Sequence, residues 1–198
     1  FREYERTLVT TFDAYVRPKV ANYIDALEGK LTETGVPARL EIMQSRGGIA
    51  AARTAVERPV SLLRSGPAAG VVAAQMVGEL CGEKNLISND IGGTTADIGL
   101  VVDGKPLTSA EGKVLKYPLR IPMLDVVSIG AGGGSIAWLD DAASLHVGPQ
   151  SAGSVPGPAC YGQGGSEPTV TDASIVLGYL NADYFAGGHV KLDASASH

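Results

Sequence analysis

Between Asn89 and Val101 the chain reads NDIGGTTADIGLV, and these residue types suit the handling of a phosphate. The adjacent glycines Gly92 and Gly93 let main-chain N–H groups approach an anion that any Cβ would hold away. Thr94 and Thr95 add hydroxyl donors. Asp90 and Asp97 frame the turn, and carboxylates beside a phosphate usually hold Mg²⁺, directly or through water. An ordinary hairpin with turn-forming Gly and Thr would use the same letters, so the rest of the chain has to choose between the two.

The elements that must position this turn follow from hydrophobic periodicity. Leu86-Ile87 lead in, and Ile98, Leu100 and Val102 alternate on the way out, so two short strands flank the glycines, with Asp103-Gly104 turning the chain afterwards. Upstream, Leu8, Phe12, Tyr15 or Val16, Val20, Tyr23 or Ile24, Leu27 and Leu31 recur at three- and four-residue steps. That spacing predicts one amphipathic helix over 4–31, or two with a break near Pro18. A strand is expected over 38–43, ending in the polar exit Gln44-Ser45-Arg46-Gly47-Gly48, which could face a ligand or be plain loop. A second helix runs from Arg64-Ser65-Gly66-Pro67 to about Leu80, with Ser65 or Gly66 as cap, Pro67 in the first turn and Gly82 as stop. Its small residues Ala68, Ala69, Gly70, Ala73 and Ala74 imply close packing on a sheet. Its start could also serve as an anion site.

Downstream, strands are expected over 114–121 and 123–129. Asp125, just ahead of a second glycine cluster, is either metal-linked or a hydrogen-bonded strand-end residue. That cluster, Gly130 to Ser135, leaves through the apolar Ile136-Ala137-Trp138-Leu139. A dinucleotide fingerprint would need a helix there and an acidic residue about 20 positions later, so the Rossmann reading does not fit. A short strand over 145–150, a Gly/Pro/Ser loop over 151–166 and a last helix capped by Thr171 or Asp172 complete the pattern, with 191–198 trailing. Cys160 in that loop reads as a small buried thiol rather than a nucleophile, since only His146 lies near it in sequence.

Composition narrows the classes. The net charge of −5 over 198 residues, with no Lys/Arg run, does not suggest a nucleic-acid surface. No apolar stretch approaches a membrane span. Two distant cysteines, Cys81 and Cys160, do not make a disulfide framework, so a cytoplasmic setting is expected. The three histidines show no zinc-ligand spacing with either cysteine. Glycine is abundant, at 26 residues, and concentrates from Gly92 onward, which points to backbone-lined turns around a site. The chain opens on Phe1 without a Met and reads as an internal fragment.

Seven stretches occur in the order REYERT, EIMQSRGG, RPVSLLRSGPAAGVVAA, NDIGGTTADIGLV, PMLDVVSIGAGGGSIAW, VGPQSAGSVPGPACYGQGG and EPTVTDASIVLGYL. Together they resemble the hydantoinase A / 5-oxoprolinase family, which includes the β-type subunits of acetone and acetophenone carboxylases. The resemblance covers nearly the whole chain. It implies an α/β, actin-like ATPase fold of the ribonuclease H-like type: a mixed sheet with flanking helices, a helical lead-in over 1–35, a nucleotide-binding core over 36–185 and a trailing segment over 186–198.

It also implies ATP and Mg²⁺ as cofactors. Gly92, Gly93, Thr94 and Thr95 would then contact phosphates, and Asp90 and Asp97 would organise the metal or orient a nucleophile. Gly130, Gly132, Gly133, Gly134 and Ser135 would border the nucleoside. The family's other phosphate loop has no second copy here, so the chain would carry only the middle of an enzyme completed by the N- and C-terminal parts of its own polypeptide, possibly with a hydantoinase B-type subunit. The implied reaction is ATP-driven opening of a hydantoin, N-methylhydantoin or 5-oxoproline. A ketone-carboxylase subunit and a non-catalytic nucleotide switch are the alternatives.

Overall fold

The computed structural model describes residues 2–114 and 116–198. Leu115, inside the strand expected over 114–121, lies outside the described residues, as does Phe1. The chain divides into two compact units, Phe1–Ser88 with Gly99–Val126, and Asn89–Ile98 with Val127–His198.

In the first unit, α1 (Glu3–Glu33) is a single helix that runs through Pro18. Pro18 has no N–H to donate to the carbonyl of Ala14. Both residues are exposed, so water can take that carbonyl, and the turns on either side are anchored independently. Leu8, Val9 and Phe12 pack against a core of Val60, Leu119, Ile121 and Met123. Val20 packs against a second core, which contains Ile24 with Ala52 and Ala55. Of the two alternatives, the single helix holds, and tertiary packing carries it through Pro18. Next to Phe12, the Asp13 carboxylate accepts from the main-chain N–H of Val60 (3.1 Å) and pairs with Arg17 (2.5 Å). It caps the 3₁₀ turn Pro59–Leu62 from another element.

Only the end of the strand expected over 38–43 pairs: β1 (Glu41–Met43) runs antiparallel to β2 (Ile49–Ala51), with Ile42 opposite Ala50. The polar exit between them is internally tied. The Oγ of Ser45 lies 2.6 and 2.5 Å from the carbonyl oxygens of Ser61 and Leu63, and both Gln44 and Ser45 are buried. After α2 (Ala52–Glu57), helix α3 (Ser65–Cys81) begins one residue earlier than its supposed caps. Arg64 occupies the N-cap position in the left-handed region (φ 57°), with its guanidinium on the Val126 carbonyl (2.8 Å). Gly82 ends the helix as expected. Ala68 and Val71 of α3 form a third core with Val101, Leu124 and Val126.

Strands β3 (Leu86–Ile91), β4 (Ala96–Val102) and β5 (Lys105–Pro106) follow, and later β10 (Val126–Ile129) joins them in the order β10–β4–β3, with β5 also on β4. Of the strands expected over 114–121 and 123–129, the first is reduced to β8 (Tyr117–Leu119) and the end of β7 (Gly112–Val114), and the second is split into β9 (Met123–Leu124) and β10; with β6 (Thr108–Ser109), which was not expected, the pairs are β6–β9 and β7–β8. Pro118 and Pro122 cannot donate to a ladder, which shortens what can pair there.

In the second unit, β11 (Ser135–Leu139) and β12 (Leu145–Ser151) form an antiparallel hairpin with a bulge after Ser135. A 3₁₀ turn at Ala159–Tyr161 and helix α4 (Val170–Val176) complete its frame around a core of Cys160, Ile175 and Leu192. The segment read as trailing thus sends Leu192 into this core. No helix among the described residues is long and apolar enough to cross a membrane.

The Asp13 cap yields a first test. Asp13→Ala should destabilise the protein by about 1–2 kcal/mol, because the Val60 N–H loses its partner. Arg17→Ala, at a half-exposed pair, should cost less than about 1 kcal/mol. Chemical denaturation of both variants checks the ranking.

Candidate functional site

The site is built from main chain. The turn between β3 and β4 closes with Gly92 N–H donating to Thr95 O (2.8 Å). A link of four residues can only join antiparallel neighbours. Against this turn lies the second glycine cluster. Gly132, Gly133 and Gly134 N–H groups donate in sequence to the carbonyls of Thr94 (3.2 Å), Gly92 (2.9 Å) and Gly93 (2.6 Å). Ser135, fully buried, accepts from Gly132 N–H through its Oγ (2.9 Å) and fixes the cluster from behind.

The two sets of glycines do different jobs. A Cβ on Gly132 would come within 2.6 Å of Thr94 and Thr95 main-chain atoms, so the docking of the loops demands glycine there. Gly93 is the opposite case. A Cβ there would meet nothing within 4 Å, and its φ lies outside the left-handed region. The fold itself places no demand for glycine on Gly93. Among the described residues, hydrogen bonds occupy the turn's carbonyls, while none is found to the N–H groups of Gly93 and Thr94.

Carrying the Gly92–Thr95 pairing along the hairpin sets Asp90 across from Asp97 on one face, and Ser88 Oγ, on the N–H of Gly99 (3.1 Å), keeps the same register. Like charges so placed repel, which favours a cation between them. Ser128 donates its hydroxyl to the Asp97 carboxylate. No group of three His, Cys, Asp or Glu among the described residues could hold a metal. Two carboxylates are not a dedicated cage, but they fit Mg²⁺ bound through one or two carboxylates and a ligand's phosphates. Asp125 is exposed, and its N–H donates to Leu107 O (2.9 Å).

Beneath the loops, α4 is anchored by a reciprocal cap. Thr169 is its N-cap and Asp172 the third residue, each side chain satisfying the other's main-chain N–H. Asp172 is therefore the cap's partner rather than the cap. The helix also stops at Val176, short of Leu180, because the chain turns at Gly178 (φ 74°). Thr171, next to Asp172, brings both its N–H and its hydroxyl to Gly133 O (2.8 Å each). Asp172 further accepts from the N–H groups of Ala159 (3.2 Å) and Cys160 (2.9 Å) and from Ser197 Oγ (2.9 Å). Burial alone would raise its pKa, but the hydrogen bonds from Thr169, Cys160 and Ser197 hold it below the usual carboxylate range. The same burial, with Asp172 beside it, pushes the Cys160 thiol up to about 11, so it stays protonated at neutral pH and is no nucleophile.

A cleft of about 980 Å³ opens over these elements. Gly92, Gly93, Thr94, Gly133 and Gly134 line it, whereas Asp90, Thr95, Asp97, Gly130, Gly132 and Ser135 do not. The cleft is also lined by Tyr161, Thr171, Tyr179, Leu180 and Phe185, none of which the sequence pattern had marked as a site residue. Elsewhere in this unit, Trp138 stacks on His146 (4.7 Å), whose Nε2 lies 2.7 Å from Asp140.

The sequence profile of the hydantoinase/oxoprolinase family matches residues 6–198. The chain belongs to that family. It is 43% identical over 99% of its length to caprolactamase subunit alpha of Pseudomonas jessenii, covering 28% of that protein. A solved structure of the ATP-dependent caprolactamase from Pseudomonas jessenii superposes with a TM-score of 0.80 at 42% identity, again over 100% of this chain and 28% of the other. The nucleotide-free structure of acetone carboxylase gives a TM-score of 0.82 at 32% identity over 100% of this chain and 28% of that one. To 5-oxoprolinase 1 of Arabidopsis thaliana the identity is 38% over 93% of the chain, covering 14% of that protein. The chain thus spans less than a third of the length of each of these hydantoinase/oxoprolinase relatives.

Two expectations follow for this family member. Gly132→Ala should lose several kcal/mol of stability, since neither contacting atom is the tip of a flexible side chain, and thermal unfolding measures it. Asp172 has a folded pKa below its unfolded value of about 3.9, so its contribution is present above that unfolded pKa and is lost as pH falls through the folded pKa. Asp172→Asn should destabilise by about 1–3 kcal/mol at pH 7 and flatten the acid limb of stability against pH. An unchanged acid limb would remove Asp172 from the linkage.

Proposed function

We propose that this chain is the phosphate-handling part of an ATP-dependent enzyme that opens a cyclic amide, built on an actin-like ATPase fold. The observation that carries this is Gly93: a glycine that the fold does not require, on a cleft wall, with an N–H left uncommitted. Close backbone approach by a ligand is the remaining reason for a glycine there. The relatives named caprolactamase and 5-oxoprolinase support the cyclic-amide class.

ATP would supply a phosphoryl group to the amide carbonyl oxygen, ending the resonance that slows direct hydrolysis, so that added water can expel the ring nitrogen and a second water can release phosphate from the resulting acyl phosphate. The chain's own residues then bind and orient. The N–H groups of Gly93 and Thr94 and the Thr94 hydroxyl meet phosphate oxygens. That hydroxyl has a weak tether, 3.5 Å to Ser151 Oγ, so it can turn to a ligand. Asp90 and Asp97 would hold Mg²⁺, with Ser128 fixing the rotamer of Asp97. Gly133 and Gly134 act as braces: their N–H groups are committed to the turn's carbonyls and hold the N–H groups of Gly93 and Thr94 in place before charge develops. The remaining polypeptide, and a hydantoinase B-type partner, would complete the substrate site. A ketone-carboxylating role is the second reading, supported by the likeness to acetone carboxylase.

ATP hydrolysis by the full-length protein, with hydantoin, ε-caprolactam, 5-oxoproline, or ketone plus bicarbonate, separates the readings. Stimulation by a cyclic amide is expected. Stimulation by ketone with bicarbonate alone would transfer the chain to the carboxylases, and no turnover at all would sink both. Gly93→Ala should weaken MgATP binding about tenfold while changing stability by less than about 0.5 kcal/mol. Asp97→Asn should lower turnover at least about tenfold with the fold intact.

A further inference from the structure

In the first unit, the strands that pack on α3 carry a second apolar face. Val101 of β4 shares a core with Ala68 and Val71 of α3, and Leu86 of β3 packs against it. Gly99 also backs onto this helix, since a Cβ there would come within 2.3 Å of Val71. Successive residues of a strand point to opposite faces, so Ile87, Leu100 and Val102 point away from α3. Ser88, whose Oγ accepts from Gly99 N–H (3.1 Å), sets Ile87 beside Leu100. Toward β5, Val101 pairs with Pro106, and Leu107 N–H donates to Leu100 O (3.0 Å), which sets Leu107 beside Leu100. An aliphatic row, Ile87–Leu100–Leu107, thus crosses the sheet with Val102 next to it. Ile87 is 70% exposed, Val102 44%, Leu100 40% and Leu107 39%.

Single exposed aliphatics are ordinary, but four contiguous ones on one sheet face form a patch that marks a contact. The pattern of β4 agrees. An antiparallel strand with a water-facing side alternates apolar with polar, whereas Gly99-Leu100-Val101-Val102 is apolar on both faces, as in a strand sheathed from both sides.

We infer that this face is an internal packing surface of the full-length protein, covered by a segment of the same polypeptide outside residues 1–198 that lays aliphatic side chains on the Ile87–Leu100–Leu107 row. Two observations choose that occupant. The matched region is less than a third of each relative, so those proteins hold far more chain outside it than within. The row itself is purely aliphatic, the make-up of half a domain core, while surfaces that meet separate partners are enriched in Tyr, Trp, Met and Arg. A tethered segment also reaches the row without the entropy cost of joining two free molecules. The inference is independent of the nucleotide-dependent reading above.

The test is hydroxyl-radical footprinting of the unmodified full-length protein at several concentrations, read at Ile87, Leu100 and Leu107 by mass spectrometry, with urea-unfolded protein as reference. Oxidation at least about tenfold slower than in the unfolded chain, at every concentration, is expected. A photoactivatable benzophenone amino acid replacing Ile87 should cross-link within one polypeptide, to a peptide outside 1–198. Oxidation near the unfolded rate would leave the row open to water and overturn the inference. Protection that fades on dilution would overturn it too, by giving the face to a second copy. The same holds for a cross-link that joins two polypeptides or reaches only residues 1–198.

Discussion

The second unit depends on a backbone-to-backbone contact: three successive N–H groups, of Gly132, Gly133 and Gly134, on the three carbonyls of Thr94, Gly92 and Gly93. Each such bond contributes about 1 kcal/mol net, so their sum is modest. Their geometric effect is larger. With its carbonyls turned into the neighbouring loop, the Gly92–Thr95 turn presents its other edge, the N–H edge, outward. The three bonds run from main chain to main chain, and a Cβ at Gly132 would occupy the space of the turn itself.

The contact is held from below by a buried carboxylate. Asp172 binds the start of α4 and the Ala159–Cys160 main chain at once, and the adjacent Thr171 fastens α4 to Gly133. The cleft is therefore referenced to one short helix. A charge is tolerable at that depth because five N–H and O–H donors surround it. The thiol of Cys160, beside the same carboxylate, is kept neutral by the same arrangement and serves as packing.

Much of this was legible in the order of residues. The two strands around Gly92-Gly93 and the helix stop at Gly82 each follow from local rules, and each occurs. Where a cap was misplaced, the cause was non-local. Pro18 left one helix or two open, and the single helix holds because Phe12 and Val20 are pinned to two different cores on either side of it. Ser65 has the chemistry of a cap, yet Arg64 takes the position because its guanidinium finds the Val126 carbonyl 62 residues away. Thr171 likewise looks like a cap, and Thr169 serves instead because Thr171 is engaged by Gly133.

By itself, then, the sequence determined the first helix, the helix that Gly82 ends and the two strands around a glycine turn flanked by two carboxylates, since conformational freedom and periodicity are written residue by residue. It also carried the family, through seven motifs in order. Only the tertiary structure decided what each glycine is for. Gly132 and Gly93 are the same letter, but one touches another loop and the other touches nothing. The placement of Tyr179, Tyr161 and Phe185 along one cleft was equally beyond the sequence, because that cleft exists only after α4 has been seated by contacts with residues far away in the chain.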